Sequence, residues 1–133
     1  MIVSLRKRLW LAFAGVSGAA AVAAEAFARH GLDPDADAHA IQLIGIASHY
    51  QGFHALALIV AAMLAERFDG GLARGAVLVG GWAFAAGLVL FCGGLYGIAF
   101  GATPSLTPVV PIGGTAFIFG WLALAAAGIL GNR

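Results

Sequence analysis

The chain has 133 residues, of which 62% are hydrophobic and only 10% charged, and its mean hydropathy is +0.96. A soluble domain carries roughly 25% charged residues, so this sequence cannot clothe a water-facing surface and reads as one integral membrane domain over residues 1–133. The net charge of +1 arises from scattered basic residues with no basic stripe, so no nucleic acid partner is expected, and the single Cys92 excludes an internal disulfide.

Crossing the hydrocarbon core takes about 20 apolar residues, and four segments qualify: residues 9–27, 41–64, 76–100 and 109–130. No strand-like alternation appears, and helices satisfy their own backbone in lipid. The expected fold is all-α, a four-helix transmembrane bundle. Arg6, Lys7 and Arg8 precede the first span, Arg67 and Arg74 follow the second, and Arg133 closes the chain, whereas Arg29 alone stands in the opposite set of loops. That bias predicts both termini on the cytoplasmic side of the membrane. The basic start and Ala26-Phe27-Ala28 also resemble a cleavable leader, but the apolar run exceeds the usual 7–15 or so residues and Glu25 sits beside the site, so the segment is read as a span.

The loop between spans one and two holds Asp33-Pro34-Asp35-Ala36-Asp37. Asp33 before Pro34 suits a helix cap with proline at the first helical position; a cation site made with His30 and His39 is the sharper alternative. Span two then carries His49-Tyr50-Gln51-Gly52-Phe53-His54, a polar insert that is costly in lipid unless its groups find partners. Span three has Gly93, Gly97 and Gly101 at four-residue spacing, with Gly80, Gly81 and Gly87 before them, which predicts a packing face for a neighbouring helix. Tyr96 lies toward the outer end, as an aromatic belt would place it. Span four opens with Pro111-Ile112-Gly113-Gly114, where the glycines would let a helix or bound molecule approach the backbone.

Four local patterns run through the chain: Ala26 to Leu32 around Arg29-His30-Gly31, Tyr50-Gln51-Gly52-Phe53-His54-Ala55-Leu56-Ala57-Leu58, Phe91-Cys92-Gly93-Gly94-Leu95-Tyr96, and Thr107-Pro108 through Trp121 with its Pro111-Ile112-Gly113-Gly114 core. In this order they resemble the bacterial inner-membrane family called domain of unknown function 423, which is related to the small eukaryotic transmembrane protein 256. The resemblance implies a four-span inner-membrane protein and brings no reaction, substrate or cofactor. His30, Tyr50, Gln51 and His54 match the family pattern, whereas Glu25, Arg29 and His49 depart from it.

At about 100° per residue, His49 and His54 lie roughly 140° apart on one helix and cannot share a metal in the i, i+4 manner. His54 shares its face with Tyr50 and Gln51, while His49 faces a different neighbour. Glu25 has Arg29 four residues on as a partner and His49 as a further candidate. The candidate intramembrane polar cluster is therefore Glu25, His30, His49, Tyr50, Gln51 and His54, with Gly93, Gly97, Gly101, Gly113 and Gly114 as packing residues. Its expected role is interhelical hydrogen bonding in a structural or accessory membrane component. Proton- or ion-coupled transport through the His/Glu groups and a His-based cofactor or metal site are the alternatives. No nucleophile–base–orienter set is present, so no enzyme is expected, no metal site is assigned and the cofactor is unknown. The expected partners are the lipid bilayer and, through the glycine stripe, a second copy or a larger membrane complex.

Overall fold

The computed structural model describes residues 3–102 and 104–131. Arg133, counted in the charge bias, and Thr103 of the second external loop lie outside the described residues. Four helical spans are present: α1 (Leu5–His30), α2 (Ala38–Arg67), a third span over Gly71–Ala99, and α5 (Val109–Leu130). The third span is α3 (Gly71–Gly87), a π-helical turn over Leu88–Cys92, and α4 (Gly93–Ala99). No strand occurs among the described residues.

The first two spans exceed the expected 9–27 and 41–64 because their charged ends stay helical. The Ser4 hydroxyl accepts the Lys7 N–H at 3.3 Å and starts α1 ahead of its three basic residues. Helix α2 runs 30 residues, about 45 Å at 1.5 Å per residue, which spans the headgroup layers as well as the hydrocarbon. At the end shared by the start of α1 and the end of α2, Glu66 accepts from Ser4 Oγ at 2.9 Å and from Arg6 Nη2 at 3.3 Å.

Helix α2 and the third span form the centre, with α1 packed on α2 and α5 packed on the third span. Helices α2 and α5 meet chiefly through side chains. Trp10, Phe84, Ile44, Leu58 and Val77 are the largest fully buried apolar side chains, and Cys92 fills the interior beside them.

The seam between the third span and α5 has a seven-residue repeat. Gly80, Gly87 and Gly94 lie opposite Leu124, Phe117 and Val110, while Gly120 lies opposite Phe84 and Gly113 against the backbone of Leu90 and Phe91. A glycine on each helix thus receives bulk from the other, the interlock by which lipid-embedded helices gain van der Waals contact. A Cβ at Gly87 would overlap the Phe117 ring, and one at Gly113 would overlap the Phe91 backbone nitrogen.

This corrects the expected packing stripe. Gly93 and Gly101 have open space where a side chain would stand, and Gly97 instead makes room for Leu106. Gly101 has φ +83° and ends the span: its N–H bonds the Ile98 carbonyl at 3.1 Å while the Ala102 N–H reaches back to Gly97 O at 2.8 Å. This is a Schellman ending, in which a left-handed glycine satisfies carbonyls that the helix leaves unpaired. Gly113 packs as expected, whereas a Cβ added at Gly114 would make only ordinary contact, 3.5 Å from the Phe91 ring.

Candidate functional site

The polar insert of span two is distributed around α2 by helix geometry. Ser48, Gln51 and His54 are three residues apart, and each step of three turns the side chain back by about 60°. The three groups therefore fan across about 120° of the helix surface. Each meets a different neighbour.

Toward α1, Ser48 Oγ donates to Glu25 Oε2 at 2.8 Å. The other Glu25 oxygen accepts Arg29 Nε at 2.7 Å, the i, i+4 pair expected from the sequence. Both partners of that pair are substantially exposed, so it contributes little stability on its own. His49 makes no hydrogen bond to Glu25; the serine one residue earlier occupies that position. Toward α4, the Tyr96 hydroxyl donates to Gln51 Oε1 at 2.6 Å. Tyr96 was expected in an interfacial belt and is instead turned inward onto α2.

Toward α5, His54 receives the Trp121 indole N–H on Nε2 at 3.1 Å, and its Nδ1 lies 2.8 Å from the Tyr50 carbonyl. A carbonyl only accepts and an indole N–H only donates. These partners fix the tautomer: Nδ1 carries the proton and Nε2 is the acceptor. Both ring nitrogens are thereby occupied, and the neutral ring has no lone pair left for a metal. The ring is also buried, stacked on Phe117 with centroids 3.6 Å apart and planes at 12°. Phe84 and Phe53 stand at 5.8 and 5.4 Å from its centroid.

The remaining cluster members lie outside this network. His30 is exposed at the end of α1. His49 and Tyr50 are exposed on the flank of α2, and neither the His49 imidazole nor the Tyr50 hydroxyl makes a hydrogen bond among the described residues. The Tyr50 ring nonetheless lies nearly parallel to His54, at 7° and 5.8 Å. The candidate cation site in the first loop is replaced by a backbone turn. Asp33 accepts the N–H groups of Ala36 and Asp35, both at 2.9 Å, while Asp37 Oδ2 accepts the Asp33 N–H at 2.9 Å. These backbone donors hold the Asp33 carboxyl below the usual carboxylate range. Helix α2 therefore starts after Asp37, not after Asp33. Among the described residues no group of three or more His, Cys, Asp or Glu side chains is placed to hold a metal ion.

Sequence reasoning missed Ser48 and Trp121. The three-residue spacing of Ser48, Gln51 and His54 was visible, but its meaning needs α2 to be central. Uniform hydrophobicity all round α2 is the signal for that, since a helix apolar on every side is packed on several sides or embedded in lipid.

The family described as "Protein of unknown function (DUF423)" matches residues 24–114. The UPF0382 membrane protein of Haemophilus influenzae is 39% identical over 119 residues, covering 90% of this chain and 92% of that one. The UPF0382 membrane protein YwdK of Bacillus subtilis is 32% identical over 122 residues, covering 92% and 97%. The UPF0382 inner membrane protein YgdD of Escherichia coli is 32% identical over 126 residues, covering 94% and 92%. No solved structure matches.

Proposed function

We propose that this chain, which belongs to the DUF423 family of membrane proteins, is a non-catalytic accessory component of the bacterial inner membrane, built around α2 as a hub. The observation that carries this reading is the three-way tether: Glu25 with Ser48, Tyr96 with Gln51 and Trp121 with His54 each join one other span to α2. The polar groups of α2 are used one neighbour at a time to hold the bundle. In measured membrane proteins such bonds average about 0.6 kcal/mol, so three of them together supply about 2 kcal/mol of specificity for one arrangement of four apolar helices.

Orientation with both termini cytoplasmic is part of the proposal. It is supported by the grouping of Arg6, Lys7, Arg8, Arg67 and Arg74 at the ends opposite Arg29. Cysteine labelling tests it: an impermeant maleimide added to intact spheroplasts should label Asp35→Cys and spare Asp69→Cys, and the reverse pattern would invert the topology. Buried Cys92 should stay silent in both.

An accessory role places the protein in association with a second copy or a larger membrane assembly. Gentle extraction of the tagged chain at native expression should recover it in a particle larger than a monomer. A monomer that drives saturable, pH-dependent ion flux in proteoliposomes would overturn the reading.

A further inference from the structure

Two of the polar groups left out of the tether, His49 and Tyr50, converge on a second feature, a cleft of about 430 Å³ on the flank between α2, the π-helical turn and α5. Its size falls within the roughly 300–1,000 Å³ typical of small-molecule pockets. Its walls are aromatic: Tyr50 and Phe53 from α2, Phe91 from the π turn, and Phe117 and Trp121 from α5. Gly114 leaves the α5 side open at the same level. The π turn contributes by setting Phe91 against the cleft, with its ring 5.0 Å from Tyr50 and 5.6 Å from Phe117. Such single π turns recur at functional sites.

The exposed rings of Tyr50, Phe53 and Trp121 and the neighbouring Ile118 stand at the mouth, deep within apolar spans, so the cleft opens sideways onto hydrocarbon rather than onto water. Tyr50 and Phe117 present faces only 17° from parallel. Two groups line the cleft with no hydrogen-bond partner among the described residues, the Tyr50 hydroxyl and the His49 imidazole. An acyl chain could fill such a space but would leave both groups unsatisfied in lipid, where each unmade hydrogen bond is costly.

We propose that this cleft binds a planar, lipid-borne ring carrying carbonyl oxygens, of the quinone type. The ring stacks against the aromatic walls. Its oxygens accept from the Tyr50 hydroxyl and a His49 ring N–H. His54, committed on both nitrogens, forms the back wall and donates nothing to the ligand. The proposal concerns binding alone and stands apart from the accessory role, because it uses the two groups that the tether leaves free.

The test uses the full chain in lipid nanodiscs, titrated with decyl-benzoquinone while tryptophan fluorescence is followed. A saturable quenching component is expected, absent from Trp121→Phe and distinct from the linear quenching caused by partition into lipid. Tyr50→Phe and His49→Ala should each weaken it roughly tenfold, the equivalent of one hydrogen bond. Unchanged helical circular dichroism confirms that each variant is folded. Linear quenching only, saturable quenching that persists in Trp121→Phe, or equal affinity in the wild type, Tyr50→Phe and His49→Ala would overturn the proposal. So would equal displacement by decylbenzene, which has the ring and tail but no oxygens and would mark the cleft as a lipid groove.

Discussion

Replacing His54 by phenylalanine keeps an aromatic ring against Phe117 but removes the acceptor of the Trp121 indole N–H. The Tyr50 carbonyl loses a second donor yet keeps its helical bond, so most of the cost falls on the α2–α5 tether. The bond is 3.1 Å long, toward the far end of the N–H range, which places it nearer the average of about 0.6 kcal/mol than the maximum of about 1.7. With the orphaned indole N–H added, His54→Phe should destabilise the protein by about 1–2 kcal/mol. A double-mutant cycle with Trp121→Phe isolates the pair, since the volume changes cancel to first order. Its coupling energy, from unfolding by dodecyl sulfate in mixed micelles followed by circular dichroism, should be about 0.6–1 kcal/mol. A coupling under about 0.3 kcal/mol, the level at which independent sites add, would refute the tether.

Two further consequences concern glycine and the external loop. Gly113→Ala drives a methyl into the backbone of Leu90 and Phe91 and should cost about 1–3 kcal/mol in the same assay, whereas Gly93→Ala enters open space and should be neutral or gain up to about 1 kcal/mol. If both glycines respond alike, the seven-residue seam is wrong. Asp33 has a depressed pKa, so its contribution is complete above the ordinary carboxylate value of about 3.9 and is lost as pH falls through the lower folded value. The amide resonances of Ala36 and Asp35 should therefore move together only on strong acidification, and in Asp33→Ala they should not move with that transition. A shift centred near neutral pH would contradict the turn.

The sequence made the four spans legible because apolar runs of membrane length and flanking charges are local properties. Span ends were missed by a few residues where Arg6 to Arg8 and Glu66-Arg67 remain helical beyond the hydrocarbon. The polar insert was legible as costly, and the separation of His49 from His54 followed from helical rotation alone. The partners were not, because Ser48, Tyr96 and Trp121 become partners only when the rotations of four helices are set against one another. Glu25 shows the limit: its i+4 partner Arg29 could be read, while its interhelical partner was Ser48, one residue from the expected His49. The glycines show it again. Spacing by four drew attention to Gly93, Gly97 and Gly101, yet the packing seam repeats by seven and the stripe's last member is a helix terminator. No sequence signal marked the π turn at Leu88–Cys92.

Helix α2 holds the other spans through groups fixed in one hydrogen-bonded state, with His54 the most fully committed. Solid-state nitrogen NMR of the selectively labelled chain in bilayers at neutral pH reads that state directly. The spectrum should show a neutral His54 ring protonated on Nδ1, with Nε2 correlated to the Trp121 indole proton. A ring protonated on Nε2, with no correlation to Trp121, would contradict it.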